Sequence, residues 1–387
     1  MKQFNAILEE YGIIGYESIS KPVLAALVAE EPILLVGEQG TGKTLLAERL
    51  ALALDISDKN ENKEFNAYDA SKSLFEDVIG FPDPVKMQTG VLDYLPSPIT
   101  IWNKKFILID EISRANPAMQ NKWLEIIRSR RLMGKSIPDL KYVFSAMNPL
   151  HYAGTNPLDS ALADRFFLIV QVPSSFSRSD LSKIINCQDN NSLAGSIELM
   201  YILRDIKKIS ENIEPIFSNR INSFILDFAH KVEKLGLLFS PRRCAMLKRA
   251  LDIFTAIDIY FGEFSEQNLL NNFAVCANCG WNYFVTDEEP RADVLTEAYN
   301  FATAKIKGST KDTSKQFENY KKSNAAGNNN PSSQTPPQST RAQYDDTSDI
   351  KAIGEIIGAG LELFTIGFYE MVIKGNSGWK SKMKINQ

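Results

Sequence analysis

Short apolar runs alternate with longer amphipathic segments over the first 172 residues of the chain. Four of these runs have the length and composition of buried strands, and they cover residues 33–36, 106–109, 142–146 and 166–172. Short apolar strands that alternate with helical segments are typical of a parallel sheet covered by helices on both faces. The pattern therefore predicts an α/β domain with a parallel sheet over residues 1–172.

Helical periodicity replaces this alternation after residue 173. Apolar residues recur every three or four positions in the segments 199–211, 219–235 and 242–260, which is the spacing of an amphipathic helix. Residues 173–307 are therefore predicted to form a separate, all-helical domain.

The chain changes character again near its end. Residues 308–349 consist mainly of Ser, Thr, Asn, Gln, Lys and Pro, and such a segment buries too little surface to offset its chain entropy, so a disordered linker is predicted. Residues 350–387 form a tail whose apolar stretch 350–373 is interrupted by Lys351, Glu355, Glu362 and Glu370. An amphipathic helix is predicted there, and a membrane span is not.

The charge and cysteine content of the chain limit its possible partners and location. The net charge of -4 gives no basic footprint, so nucleic acid is not expected as a partner. Four scattered cysteines do not form a disulfide framework, and together with a start that does not resemble a signal sequence they predict a reduced, cytoplasmic location. Cys276 and Cys279 have zinc-knuckle spacing without a second pair, so ordinary thiols are the other interpretation.

A complete phosphate-binding motif follows the first predicted strand directly. Its members are Gly37, Glu38, Gln39, Gly40, Thr41, Gly42, Lys43 and Thr44. Glycines at this spacing let backbone N–H groups turn toward a triphosphate, while the lysine reaches the β- and γ-phosphates and the threonine binds Mg²⁺. Residues 45–54 are helix-forming, so the positive end of a helix dipole also points at the anion. The motif predicts a site for a nucleoside triphosphate and Mg²⁺.

Two acids end the second predicted strand. Asp110 and Glu111 directly follow the run 106–109, where a parallel strand beside the phosphate loop delivers them to the nucleotide. Asp110 is predicted to hold Mg²⁺, and Glu111 is predicted to polarise the water that attacks the γ-phosphorus. With the phosphate loop, this pair predicts hydrolysis of the triphosphate.

Two further polar residues adjoin predicted strands. Asn148 follows the run 142–146 and is a candidate to orient the attacking water or contact the γ-phosphate, although an Asn that only opens a turn before Pro149 fits the local signals equally well. Arg165 precedes the run 166–172, on the opposite edge from the phosphate loop. We therefore expect it to act on the nucleotide of a neighbouring subunit, as an arginine finger.

Together these segments resemble the AAA+ ATPases, and in particular the MoxR-type, dynein-related branch with an insert in helix 2. The resemblance rests on residues 14–16, the phosphate loop, and residues 110–117, 146–149, 154–166 and 240–242. It extends from about residue 14 to residue 251, in the family's order and spacing. The resemblance implies a P-loop AAA+ core followed by a helical lid, with ATP and Mg²⁺ at their cleft.

The resemblance also implies roles for individual residues. Ile14 and Gly15 correspond to the family's adenine-contacting segment, in which a Gln often stands in place of Tyr16. Arg242 stands at the position of the sensor 2 arginine, although Arg243 follows it directly and is an alternative.

Other surface features belong to the same resemblance. Arg114, Arg128 and Arg130 compete with Arg165 for the subunit boundary. Residues 73–80 and 88–92 resemble the helix-2 insert that projects toward remodelled partners, and residues 131–137 resemble the hairpin before sensor 1.

By resemblance, the chain is expected to form a homo-oligomer, as a hexameric ring, and to remodel a protein partner. In this family the partner often carries a von Willebrand factor A domain. Two alternatives remain open from the sequence. One is a DNA-handling, restriction-type AAA+ NTPase, and the other is a structural assembly factor whose nucleotide only locks the assembly.

Overall fold

The computed structural model describes residues 1–56, 64–187, 194–213, 215–237, 239–280, 285–286 and 292–308. The predicted linker beyond residue 308 and the predicted C-terminal helix 350–373 lie outside the described residues. The described residues divide into two compact units, one within residues 1–225 and 238–290 and the other within residues 226–237 and 292–308. The predicted domain boundaries stay a prediction.

The strands are β1 Ile33–Val36, β2 Phe65–Asp69, β3 Phe81–Pro82, β4 Tyr94–Leu95, β5 Phe106–Asp110, β6 Arg131–Leu132, β7 Lys135–Ser136, β8 Tyr142–Met147 and β9 Leu168–Gln171. The helices are α1 Lys2–Glu10, α2 Glu17–Ala29, α3 Lys43–Ala53, α4 Phe75–Ile79, α5 Pro84–Gln88, α6 Pro117–Ser129, α7 Ser160–Ala163, α8 Arg178–Asn186, α9 Ile197–Glu211, α10 Pro215–Lys234, α11 Pro241–Tyr260, α12 Glu266–Cys279 and α13 Ala292–Gly308.

Five parallel strands form the main sheet, in the order β2-β5-β8-β1-β9. Every residue of β1 and of β8 is buried, as expected for central strands that are covered on both faces. The predicted α/β class with a parallel sheet is confirmed. Strand β2 was not predicted, because it lies at the edge and its residues Asn66 and Asp69 break the apolar run.

Strand register explains why the polar residues meet. Val36 at the end of β1 pairs with Met147 of β8, and Ile109 of β5 pairs with Ser145 of β8. The residues that directly follow these three strands therefore lie at one edge of the sheet, outside its carboxyl ends, which is where ligands bind in open α/β sheets.

Among the helices that come after the sheet in the chain, α9, α10, α11 and α12 are called the helical region below. Helix α11 packs on α2, α9 and α12, and α2 also contacts β9 and α9. The rings of Phe224 and Phe273 stack with their centroids 4.1 Å apart, which joins the middle of α10 to α12. The predicted helical character of this part of the chain is confirmed.

A short segment after α12 contributes to the α/β core, which the sequence pattern did not indicate. Val285 is fully buried in the same apolar cluster as Trp123 and Leu162. The Val285 carbonyl accepts a hydrogen bond of 2.7 Å from the Leu158 N–H. The chain therefore returns from the helical region to the core at the loop that precedes α7.

Two small hairpins project from the core. One consists of β3 and β4 with α5 between them, and the other consists of β6 and β7. Asp93 forms ion pairs with both Lys86 and Lys135, which links the two hairpins. The loop of the first hairpin includes residues 88–92, part of the segment that resembles the helix-2 insert, and the second hairpin lies within residues 131–137, which resemble the hairpin before sensor 1. Among the helices that the structure describes, none has the length and apolarity needed to span a membrane.

Candidate nucleotide site

The phosphate loop connects β1 to α3 and has the backbone that its glycines permit. Gly40 and Gly42 both have φ of +81°, in the left-handed region that favours glycine. A Cβ at Gly42 would lie 2.7 Å from the Tyr16 hydroxyl oxygen, so the position also has no room for a side chain. The Thr41 hydroxyl donates a 2.8 Å hydrogen bond to the Glu38 carbonyl and closes the turn.

Lys43 is buried inside this loop although its side chain is charged. Its Nζ donates to the carbonyls of Gly37 at 2.7 Å and Glu38 at 2.9 Å, and to Asn148 Oδ1 at 3.2 Å. Burial lowers the pKa of Lys43, and the charges of Asp110, Glu111 and Glu38 oppose this shift. The loop therefore holds an ammonium group among oxygen acceptors, where phosphate oxygens are suitable partners.

Thr44 and Asp110 supply the oxygens for a divalent cation. The Thr44 hydroxyl donates to Asp110 Oδ2 at 2.7 Å, and Asp110 Oδ1 accepts the Glu111 N–H at 2.9 Å. A hydroxyl beside a carboxylate is a hard-oxygen donor set of the kind that Mg²⁺ prefers alongside phosphate oxygens. These residues fit Mg²⁺, and Thr44 and Asp110 would hold it.

Glu111 is held in a defined position next to this pair. Its backbone is left-handed, with φ of 52° and ψ of 37°, a conformation that costs a non-glycine residue about 1–3 kcal/mol and is common at functional sites. Asn148 Nδ2 lies 3.0 Å from Oε1 and 3.3 Å from Oε2 of Glu111. Asn148 is buried and contacts both Lys43 and Glu111, so its side chain does more than open the turn before Pro149.

Arg114 also contacts the Glu111 carboxylate. Its Nε lies 3.2 Å from Glu111 Oε2, and its Nη2 donates to the Ala153 carbonyl at 3.4 Å. A single 3₁₀ turn over Ile112–Arg114 brings the arginine back toward the acid three positions before it. The sequence suggested Arg114 only as a candidate for the subunit boundary. The signal for its contact with Glu111 was the spacing of three residues between an acid and an arginine.

The predicted adenine-contacting segment lies against the phosphate loop. Ile14 is buried, and Gly15 has φ of +81° with the Phe176 ring 2.6 Å from the place of its absent Cβ. The Tyr16 hydroxyl donates to the Thr41 carbonyl inside the loop. The structure thus brings the predicted base-binding and phosphate-binding segments together.

The predicted finger and sensor arginines lie together around Asp164. Arg242 Nη1 binds Asp164 Oδ2 at 2.7 Å and its side chain is 43 % exposed. Arg165 Nε is buried with no hydrogen-bond partner among the described residues. Burial lowers the pKa of Arg165, and the charges of Arg242 and Arg128 lower it further.

The alternatives to these arginines have structural partners. Arg243 is 3 % exposed and donates to the carbonyls of Phe166 at 2.9 Å and Phe167 at 3.4 Å. Arg130 donates to the carbonyls of Ile127 at 2.9 Å and Glu30 at 3.2 Å. Both arginines therefore satisfy backbone carbonyls of the same chain. The roles of Arg165 and Arg242 stay predictions.

The cysteine pair does not resemble a thiolate metal site. Cys276 is buried and its Sγ lies 3.7 Å from the Leu247 carbonyl. Burial raises the pKa of Cys276, and it raises the pKa of Cys279 to about 12. Metal-bound cysteine is deprotonated, so these environments favour ordinary thiols. In the part of the chain that the structure describes, no three His, Cys, Asp or Glu side chains are grouped to hold a metal.

Known proteins resemble the chain in the same region. Residues 32–166 match the AAA domain of the dynein-related subfamily. The chain is 23 % identical to the uncharacterized protein YeaC of Bacillus subtilis over 253 residues, which is 63 % of the chain and 76 % of YeaC. It is 23 % identical to the chaperone MoxR1 of Mycobacterium tuberculosis over 263 residues, which is 61 % of the chain and 66 % of MoxR1.

A crystal structure of a proposed ATPase from Cytophaga hutchinsonii shares the fold. It superposes with a TM-score of 0.53 at 18 % identity, covering 74 % of this chain and 86 % of that one. Fold and site together define a P-loop NTPase core of the AAA+ class. Residues 32–166 belong to the dynein-related AAA domains, and the resemblance to the MoxR-type AAA+ ATPases is confirmed.

Proposed function

We propose that the chain is an ATP-hydrolysing MoxR-type motor that assembles with copies of itself into a ring and remodels a protein partner. The observation that supports hydrolysis most strongly is the continuous network from Lys43 through Asn148 to Glu111. It connects Lys43, which is suited to bind phosphate, with Glu111, which is suited to activate water. A phosphate loop that only bound nucleotide would not require this connection.

The residues divide the work of hydrolysis as follows. When bound, Mg²⁺ would supply positive charge to the phosphates of ATP. Lys43 binds phosphate oxygens with the ammonium that the loop carbonyls now orient. Glu111 orients the attacking water and accepts its proton, while Asn148 keeps the carboxylate in place. Thr44 and Asp110 would hold the metal ion.

Ring assembly is the second part of the proposal. Arg165 carries a buried guanidinium nitrogen without a hydrogen-bond partner among the described residues, next to the cations Arg128 and Arg242. A cluster of cations is stabilised by an incoming anion. A triphosphate bound by a neighbouring subunit is an anion that Arg165 would meet in a ring.

The protein partner is the third part. The segment 72–99 contains four acidic and two basic residues, and several of its apolar side chains are more than half exposed, namely Leu74, Phe81, Val85, Met87, Val91 and Leu92. Exposed apolar clusters favour protein contacts, whereas nucleic acid requires a basic surface. A von Willebrand factor A domain protein is the partner that we propose, and the proposed location of the machine is the cytoplasm.

Glu111→Gln tests the hydrolytic assignment. This variant should keep nucleotide affinity and assembly while losing turnover by at least about a hundredfold, because the general base is removed without altering the phosphate loop. Lys43→Ala should instead weaken nucleotide binding itself. Glu9→Gln is the matched control, since Glu9 is an exposed acid whose ion pair, among the described residues, is with Lys183. Undiminished turnover in Glu111→Gln would refute the proposed mechanism.

Partner recognition is tested separately, with the Glu111→Gln protein as a trap. Its binding to a purified von Willebrand factor A domain protein is measured with ATP present, beside Phe81→Ser and Val85→Ser versions. In the Glu111→Gln chain these two changes should weaken capture, and in a chain that keeps Glu111 they should leave ATP hydrolysis unchanged. Equal capture by all versions would exclude the insert as the contact surface, and salt-sensitive binding to DNA instead would favour the nucleic-acid alternative.

A further inference from the structure

Helix α2 connects the phosphate loop to the helical region through two polar contacts. The first is made by Tyr16, the residue that precedes the helix, and the second by Lys21 within it. Both residues lie in the same compact unit as the loop and as α11 and α12. The two contacts are therefore made by one short stretch of rigid backbone.

The Tyr16 contact leaves the phosphate loop little freedom. The hydroxyl donates to the Thr41 carbonyl, and it lies 2.7 Å from the place where a Cβ at Gly42 would be. Tyr16 is only 7 % exposed, and burial raises its pKa to about 12, so the hydroxyl keeps its proton as a donor. A shift of the backbone at Thr41 and Gly42 must therefore move Tyr16 or break its hydrogen bond.

The Lys21 contact is a closed group of three side chains. Lys21 Nζ lies 2.5 Å from Asp258 Oδ1 and 2.7 Å from Asn272 Oδ1. Asn272 Nδ2 donates to Asp258 Oδ2 at 2.7 Å. Asp258 of α11 and Asn272 of α12 are each 1 % exposed, whereas the Lys21 side chain is 20 % exposed. This buried group ties α2 to two helices of the helical region at once.

We propose that α2 couples the state of the phosphate loop to the position of α11 and α12, with Tyr16 and Lys21 as positioning residues. Nucleotide binding fixes the loop backbone, Tyr16 carries this constraint to α2, and Lys21 carries it to α11 and α12. The coupling also acts in reverse, because a contact in the helical region that steadies α2 preorganises the loop for nucleotide. The inference rests on the proposed function only in requiring nucleotide at this loop.

A double-mutant cycle tests this coupling. The variants are Tyr16→Phe, which removes only the hydroxyl, Asp258→Asn, which breaks the ion pair and keeps the shape, and the two combined. The dissociation constant of a fluorescent ATP analogue is measured for each. Tyr11→Phe is the control for the first change, since the Tyr11 hydroxyl donates to the Ala194 carbonyl.

Asp252→Asn is the control for the second change, because Asp252 pairs with Lys248 within α11 at 2.5 Å. Thermal unfolding checks that every variant is folded. If Asp258→Asn is not folded, Asn272→Ala replaces it, since this change removes two contacts of the group and keeps the Lys21 ion pair.

Tyr16→Phe is expected to weaken nucleotide binding about two- to tenfold, the equivalent of one net hydrogen bond. Asp258→Asn should raise the dissociation constant at least about twofold. Because both changes break one pathway, the double variant should raise the dissociation constant by clearly less than the product of the two single-variant factors. Both controls should bind like wild type.

Two outcomes would overturn the coupling. Wild-type affinity in Asp258→Asn would show that the helical region does not influence the loop. A double variant whose affinity falls by the full product of the two single-variant factors would show two independent effects. Failure of the proposed function has a different signature, since the wild-type chain would then bind no nucleotide at all.

Discussion

Replacing two adjacent arginines should separate a structural from a functional role. Arg243 is buried and donates to the carbonyls of Phe166 and Phe167, and its Nη2 is 3.7 Å from Asp164 Oδ1. Arg242 binds the same carboxylate from a side chain that is 43 % exposed. The changes Arg243→Met and Arg242→Met each remove one guanidinium group and leave an unbranched apolar side chain in its place.

The expected magnitudes differ because the environments differ. Arg243→Met leaves buried carbonyls without donors and Asp164 without one of its cations, and breaking such a buried charged network costs about 3–5 kcal/mol. The melting temperature should fall by on the order of 10 °C. Arg242→Met removes a solvent-screened pair worth at most about 1 kcal/mol, so its melting temperature should change by no more than about 3 °C.

Thermal unfolding followed by circular dichroism measures both variants, and ATP turnover is measured below their melting temperatures. Arg242→Met should remain folded and lose turnover if Arg242 acts on nucleotide, as the sensor 2 assignment expects. The reasoning is refuted if Arg243→Met melts within about 3 °C of wild type, or if Arg242→Met is destabilised as strongly as Arg243→Met.

Three further predictions concern the catalytic residues. Thr44→Val should raise the Mg²⁺ concentration needed for half-maximal turnover at least about tenfold, measured by metal titration, because one oxygen of the donor set is lost. Arg114→Gln should raise basal kcat about two- to tenfold at nearly constant KM, since it frees Glu111 Oε2 from an ion pair; a lower kcat would contradict this. Inactive Arg165→Ala and Glu111→Gln chains should regain turnover when mixed, whereas no recovery would exclude a shared site.

The grouping of the candidate catalytic residues could be predicted, because strand register brings them together. Asp110 is the last residue of β5, and Lys43, Glu111 and Asn148 come after β1, β5 and β8. Neighbouring parallel strands end at one edge of the sheet. To predict where each residue lies, only the strand in its own segment had to be identified.

Other parts of the structure depend on contacts between distant segments, which no local pattern encodes. Val285 enters the core beside Leu158 although more than a hundred residues separate them in the sequence. Strand β2 mixes polar and apolar residues because it lies at the sheet edge. The role of Arg243 was left open, because the sequence alone does not distinguish an arginine that binds core carbonyls from its neighbour.

The position of Arg242 changes how a nucleotide signal would reach the helical region. Arg242 binds Asp164 beside Arg165, on the residues that precede β9, whereas Lys43 and Glu111 lie after β1 and β5 at the carboxyl edge of the sheet. In a parallel sheet the residues before a strand and those after it lie at opposite edges. A direct link within one chain from nucleotide through Arg242 is therefore disfavoured. Two routes remain, one through α2 and one across a subunit boundary. The two routes differ in whether they need an assembly. The α2 route should operate in an isolated chain, whereas the Arg242 route should disappear on dilution below the assembly concentration.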